Sequence, residues 1–426
     1  MAKVLISFVG TGKFQTHDMT ATRDYQKTNY RLDGLDIGEF PFMAAGLMQH
    51  HHVDKVILIG TAHSMWEEVY RYFTELHGNV ITDDTYWDTY RELADSCERA
   101  TAKSPLDIPH KDEVEQAVGN AHVVITRYGL DTKEIDENSN IILGIQQYLS
   151  NGDEVMVDIT HSFRSLPIMI MNLLIYMQNV SRKNITITHI YYGMLEVFNE
   201  NKKASATGEG FAPIIDLKNI LTLNEWIIGA YSFSQYGNAY KISELLKGID
   251  NDTSSRLKSF SDEMNLNHLD AIENEAGKLS SLKNKTYDSL LPEMIVKPVV
   301  ADFLKEFGAV KNNHALFQYR LAKWHCEHMN YALSLICLQE SIITYFCQQK
   351  GDGKDWNSKD KRDEVKEEMK SNKTCLGTDY CKITRLRNCV AHSKEIDKNA
   401  RTMIRELQET LKRVGKVISD VEKKTI

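Results

Sequence analysis

The chain reads as an α/β Rossmann-like N-terminal domain over residues 1–205, followed by an all-α domain over residues 206–426. Three observations predict this division. Short apolar, β-branched runs alternate with helical patterns through the first 200 residues, the strand signal then fades, and nearly every later periodic segment has helical spacing.

Residues 4–10, 55–60, 122–129, 154–160 and 185–193 are four- to nine-residue apolar runs bounded by glycine or polar turns, the signature of buried strands. Between them, residues 39–51, 64–77, 141–149 and 166–180 have helical periodicity; Met65, Val69, Tyr72 and Phe73 share one such face. Strand–helix alternation of this kind predicts a parallel sheet covered by helices on both faces. Residues 83–115 read as an insertion of one or two helices, and the polar, glycine-containing stretch 199–210 as a hairpin or linker. Beyond it the helical patterns cover 223–246, 254–282, 295–307, 313–350, 362–371, 379–392 and 399–418, with a loop at Gly351-Asp352-Gly353.

Composition limits the function classes. With 426 residues, 42% hydrophobic and 26% charged, the chain is long enough for two ordinary soluble domains. A net charge of −8 argues against attraction to nucleic acid over the whole surface, so any RNA contact is expected to be local. No membrane-length apolar run occurs, and the first residues, Met1 to Val9, read as a core strand rather than a secretory signal. Seven cysteines without a Cys-x-x-Cys pair read as reduced thiols, and a cytoplasmic location is expected.

Open parallel sheets bind ligands beyond the carboxyl ends of their strands, where backbone N–H groups and helix N-termini favour anions. Strand one ends Gly10-Thr11-Gly12-Lys13. A Walker phosphate loop would need glycine where Ser7 stands and Ser/Thr where Phe14 stands, and a dinucleotide fingerprint would need glycine at Gln15. ATPase and dehydrogenase readings are therefore poor. Strand two ends Gly60-Thr61-Ala62-His63-Ser64. The fourth ends Asp158-Ile159-Thr160-His161-Ser162-Phe163-Arg164-Ser165-Leu166-Pro167, whose hydroxyls, histidine and arginine suit a polyanion with hydroxyl and base edges. Asp158 reads as structural, bonding the loop backbone. The last strand ends Tyr191-Tyr192-Gly193.

In the helical half, Arg387-Asn388-Cys389-Val390-Ala391-His392 holds the parts of a metal-free RNA-cutting site. Attack by a ribose 2′-hydroxyl needs a proton carrier near neutral pH, supplied by histidine, and a permanent cation for the developing phosphorane charge, supplied by arginine. Asn388 and His392, four apart, share a helix face, whereas Arg387 and His392 diverge by about 140°. A site built from two copies across a two-fold axis brings them together more easily than one helix does. Lys382 and Arg385 add local positive charge. No metal site is expected: Cys375, Cys381 and His392 have no common zinc spacing, His50 to His52 read as an exposed helix end, and His325 and His328 as packing residues.

The loop Asp158 to Pro167, with Gly60 to Ser64 before it, resembles the CARF domain of CRISPR-associated accessory proteins. The Arg-Asn-x-x-x-His motif in a helical half resembles a HEPN ribonuclease domain. Together they follow the order of the type III CRISPR CARF–HEPN ribonucleases. The resemblance implies a homodimer that binds a cyclic oligoadenylate, by first expectation the tetra-adenylate, and then cuts single-stranded RNA without a catalytic cofactor or metal. It places messenger contacts at Thr11, Gly12, Lys13, Thr61, His63, Thr160, His161, Ser162, Phe163 and Arg164, and the catalytic set at Arg387, Asn388 and His392. Two rivals remain open: a nucleotide-sensing regulator without catalysis, and a sensor domain that itself degrades the cyclic messenger.

Overall fold

The computed structural model describes residues 1–14, 23–24, 27–78, 84–204, 209–307, 313–350, 355–371, 374–392 and 398–422. The chain divides into two compact units, Met1–Thr222 and Leu223–Ile426.

The first unit is built on an eight-stranded sheet. Its strands are β1 (Lys3–Phe8), β4 (Thr28–Leu32), β5 (Leu35–Phe40), β6 (Lys55–Gly60), β7 (Ala121–Ile125), β8 (Glu154–Asp158), β9 (Thr186–Gly193) and β10 (Ala212–Asp216). A separate two-residue ladder joins β2 (Lys13–Phe14) to β3 (Arg23–Asp24). The sheet order is β5-β4-β10-β9-β8-β1-β6-β7. The five strands expected from sequence form its parallel part, from β9 through β8, β1 and β6 to β7.

The expectation of a parallel sheet needs correction at the other edge. β10 runs antiparallel to β9, and β4 is antiparallel to β5, so the sheet is mixed. The β4–β5 hairpin turns on Asp33 (φ 50°) and Gly34 (φ 80°), an Asp-Gly pair at positive φ whose twist matches the flanking strands. Thr28, Tyr30 and Leu32 face inward while Asn29 and Arg31 are only partly covered, the alternation of a half-buried strand. Residues 39 and 40 therefore belong to β5, and the helix read over 39–51 is Met43–His51. The stretch read as a hairpin or linker instead begins with a helix, Phe198–Ala204. β10 then inserts between β4 and β9, with the Arg31 guanidinium 3.8 Å from the Phe211 ring centroid. The first unit thus extends past residue 205.

Apolar cores lie on both faces of the sheet. Along β1, Val4, Ile6 and Phe8 join one core and Leu5 the other, as period-two geometry requires of a strand covered on both sides. One core is closed by Met43–His51, Trp66–Leu76, Asp84–Arg99 and Lys111–Val118, and the other chiefly by Thr132–Gly144 and Leu166–Asn179.

The second unit is helical. Several long patterns prove to be pairs. Gly237 (φ 65°) separates Asn219–Tyr236 from Tyr240–Leu246, and Asn267 (φ 52°) separates Asn251–Leu266 from Leu269–Leu279. Met329 (φ 59°) separates His314–Glu327 from Tyr331–Gln349. Leu290–Phe307, Lys359–Ser371, Cys375–Ala391 and Ala400–Glu422 complete the unit.

His325 is a polar exception in this core: it is buried, and neither ring nitrogen has a hydrogen-bond partner among the described residues. Burial, with His328 nearby, lowers its pKa to about 4. The folded state therefore holds it neutral while the unfolded chain takes up a proton near pH 6.5, so its contribution is intact above 6.5 and lost as pH falls toward 4. At pH 5 this one group is expected to cost about 2 kcal/mol. Urea denaturation of wild type and His325→Leu between pH 7 and 5 checks it; parallel pH dependence in the two proteins would contradict the assignment.

Candidate functional sites

The parallel strands of the first unit run β7-β6-β1-β8-β9, so β1 lies where the connections change direction. Ligands collect beyond such a switch point. A cavity of about 190 Å³ lies there, lined by the ends of β1 (Phe8 to Thr11), β6 (Ile59 to Thr61, with Ser64) and β8 (His161 to Phe163, with Leu166).

Each wall is fixed by short-range bonding. Ser64 Oγ donates to Val9 O at 2.7 Å and accepts from Thr61 N at 3.0 Å, pinning the β6 turn onto the end of β1. Trp66 Nε1 donates to Thr61 O at 2.9 Å and Met65 N to Gly10 O at 3.0 Å. Two glycines make this approach possible. A Cβ on Gly60 would lie 2.7 Å from both Ser64 Oγ and the Trp66 ring, and Gly12 has φ 67° with Met65 Sδ against its Cβ position. On β8, buried Asp158 accepts from Ser7 Oγ at 2.5 Å and Thr160 N at 2.9 Å, the structural role read for it from sequence. Ser162 Oγ donates to Ile159 O at 2.8 Å, closing the loop. Burial lowers the His161 pKa against the opposing pull of Asp158, which favours the neutral imidazole.

The cavity takes Thr11, Thr61, His161, Ser162 and Phe163 from the residues expected to contact a ligand. Others stand elsewhere. The His63 ring lies 2.7 Å from Cys97 O and does not line the cavity. Thr160 Oγ1 accepts from Gly193 N at 2.8 Å and donates to Met43 Sδ at 2.9 Å, placing it behind the loop. Gly12 acts through the turn rather than the lining, and Arg164 is solvent-exposed outside it. Lys13 falls in β2, and its side chain lies outside the described part. Sequence reasoning missed Ser64, whose hydroxyl organises two walls, and Tyr128, whose ring centroid lies 5.5 Å from that of half-exposed Phe163. Thr61 and Ser64 share one turn three residues apart, a spacing that was available as a turn signal. Two helices, Trp66–Leu76 and Leu166–Asn179, start at this cavity without a side-chain N-cap, and the second has Pro167 in its first turn. The N-terminus of Leu166–Asn179, with no acidic residue in its first turn, adds positive potential to a lining that mixes hydroxyls, backbone and the His161 ring with the apolar Phe8, Val9, Ile59, Phe163 and Leu166.

The second site is the end of the helix Cys375–Ala391. Thr374 caps its start, its hydroxyl accepting from Gly377 N at 3.2 Å. Leu376, Tyr380, Ile383 and Leu386 bury one face at helical spacing. Neighbouring helices hold it: Gln339 Nε2 donates to Thr384 Oγ1 at 3.1 Å, and Arg413 donates to both Asp379 oxygens, its Nη2 reaching Oδ1 at 2.7 Å. Asp379 is buried and Arg413 partly exposed. Asp379→Ala is expected to cost about 1–3 kcal/mol, discounted for the solvent on Arg413. Chemical denaturation checks this, and an unchanged midpoint would contradict it.

Arg387 Nη1 donates to Asn388 Oδ1 at 3.1 Å, while Arg387 Nε is buried without a partner among the described residues. His392 ends the helix, its N–H bonded to Asn388 O at 3.0 Å and its side chain exposed. The structure therefore places Asn388 beside both partners. His392 is the C-cap, just beyond the last helical residue, with φ −116° and ψ 13°.

Comparison with known proteins gives two family matches. Residues 4–196 match the CARF domain of the CRISPR system endoribonuclease Csx1. Residues 222–313 match the second domain of CRISPR-associated protein MJ1674. The MJ1674 protein of Methanocaldococcus jannaschii is 33% identical over 361 residues, which cover 82% of this chain and 54% of that protein. The chain thus spans about half the length of this curated relative. Among solved structures, Enterococcus italicus Csm6 bound to cyclic hexa-2′-fluoro-hexa-dAMP aligns over 100% of this chain and 95% of its own, at 12% identity and a TM-score of 0.36. That likeness is too low to carry an argument.

Proposed function

We propose, from the match of residues 4–196 to a CARF domain and the 33% identity to a CRISPR-associated protein, that the chain is a cyclic oligoadenylate-activated endoribonuclease of type III CRISPR defence that cuts single-stranded RNA without a metal. The observation that carries the reading is the CARF match over residues 4–196 together with a cavity at the switch point of that same domain. Thr11, Thr61, His161, Ser162 and Phe163 offer hydroxyls, backbone and a ring to phosphate, ribose and base. At about 190 Å³ the cavity is below the usual range for a whole drug-sized ligand, roughly 300–1,000 Å³. It suits one portion of a ring shared between two copies, which supports a homodimer.

The second unit supplies the output in this proposal. His392, at an exposed helix end, carries the proton as the 2′-hydroxyl attacks the neighbouring phosphate. Arg387 offers its guanidinium to the charge that develops, and Asn388 orients that guanidinium through the bond already present. The 5′-oxygen leaves with a proton, giving a 2′,3′-cyclic phosphate and a 5′-hydroxyl. The divergence of Arg387 from His392 favours a composite centre in which one protomer's arginine works with its partner's histidine. No helix among the described residues is long and apolar enough to cross a membrane.

The test is a fluorogenic RNA assay in EDTA, with cyclic tetra-adenylate, cyclic hexa-adenylate or neither. Cleavage that depends on one ring supports sensor and output together. Binding of a ring with no cleavage would sink the nuclease and leave the regulator reading. Ring loss that persists in Arg387→Ala/His392→Ala would move the chemistry to the sensor.

A further inference from the structure

The antiparallel pair of helices Cys375–Ala391 and Ala400–Glu422 carries a charge distribution unlike the rest of the chain. Residues 380–413 hold nine Lys and Arg against four Asp and Glu, in a protein whose net charge is −8. On the first helix, Lys382, Arg385, Asn388 and His392 fall within an arc of about 120°, on the side away from Arg387. The Arg413–Asp379 fork fixes how the second helix lies along it. On that second helix Arg401 and Arg405 are four apart on one exposed face, which turns acidic one turn later at Glu409.

Glu406, on the second helix, is the acid that the cations of both rows surround. Lys398 Nζ lies 2.6 Å from Glu406 Oε1, and Lys382 and Arg405 also lie close enough to act on that carboxylate. One partly buried acid thus stands among three cations, paired with Lys398 alone, which leaves a surplus of positive charge. Among the described residues, no ion pair engages Arg385, Arg401 or Arg405. Unpaired arginines massed on one edge of an acidic protein are costly for self-repulsion and are suited to an external polyanion.

We propose that Lys382, Arg385, Lys398, Arg401 and Arg405 form a phosphate-binding ridge that holds the backbone of single-stranded RNA beside Asn388 and His392, with Glu406 as a counter-charge that partly offsets it. The inference rests on the ribonuclease reading of this unit. The ridge reads charge and spacing rather than sequence, so it sets affinity and salt dependence and leaves base preference to other groups. Because Lys382 and Arg385 stand on one helix and Arg401 and Arg405 on the next, they set the direction in which a strand leaves His392.

The experiment uses the full chain with saturating activator and a labelled, non-cleavable 2′-O-methyl oligoribonucleotide. Anisotropy is followed from 50 to 300 mM KCl for wild type, Arg401→Ala/Arg405→Ala and Glu406→Gln, with circular dichroism verifying the fold. Each lost phosphate contact lowers the slope of log K against log salt by about 0.7. The double variant is expected to lose about 1.4 in slope and about 10-fold in affinity at 100 mM salt. Glu406→Gln removes one negative charge and is expected to bind more tightly at low salt, an effect that salt erases. RNA binding with an unchanged slope in the double variant would overturn the ridge alone. A wild type that neither binds nor cuts any RNA would overturn the nuclease reading and the ridge with it.

Discussion

His392→Ala is expected to lower activated RNA cleavage about 1,000-fold, the loss typical of removing a positioned proton carrier. The side chain is exposed at a helix end, so the variant should fold with an unchanged denaturation midpoint. Arg387→Ala should cost about 100- to 1,000-fold. Arg387→Lys should rescue little of that, because the bond to Asn388 and the second donor both depend on the planar fork. Single-turnover cleavage with saturating activator measures all three. Full activity in His392→Ala would remove the mechanism. Mixing Arg387→Ala with His392→Ala protein adds a further check: a composite centre predicts partial recovery in the mixed dimer, and two independent centres predict none.

The second large effect is expected at the pocket. Ser162→Trp puts an indole into a cavity of about 190 Å³ whose walls are bonded to one another and cannot retreat. Messenger affinity should fall at least about 100-fold, and activation should fail at concentrations that saturate wild type. Ser162→Ala, which loses the bond to Ile159 O and one hydroxyl of the lining but adds no bulk, should cost about 1 kcal/mol of stability and weaken messenger binding by no more than about 10-fold. Calorimetric titration of the ring nucleotide decides it. Equal affinity in Ser162→Trp would place the ligand elsewhere.

The two halves differ in how far sequence revealed them. The five parallel strands were legible because a strand covered on both faces reads as a near-continuous apolar run, as Val4 to Ile6, Val56 to Ile59 and Val155 to Val157 do. The mixed edge was not, because Thr28 to Leu32 is a half-covered strand of mixed polarity that reads as loop. Its Asp33-Gly34 turn was nevertheless a direct hairpin signal. The Asp158 loop was a candidate by its residue types, and its residues His161 to Phe163 line the cavity. Periodicity could not tell that Thr160 would support the loop from behind or that the His63 ring would sit against Cys97 O, since both depend on packing partners far away in sequence. In the helical unit, helix existence followed from spacing, whereas breaks at Asn267 and Met329 occur at residues that tolerate positive φ without demanding it.

The position of β10 has a bearing on biosynthesis. The hairpin of β4 and β5 leaves the ribosome early, yet the strand that covers its inner edge is encoded 180 residues after Leu32, at Ala212. At ordinary elongation rates of about 5–20 residues per second, that edge stays open for roughly 10–40 s. An uncovered edge strand invites pairing with other nascent chains, so the lag is a period of vulnerability that a chaperone or a slow pause would lengthen or protect. A gene fragment ending at residue 205 would make the same exposure permanent, and soluble expression of the sensor unit should improve sharply once translation continues through Asp216.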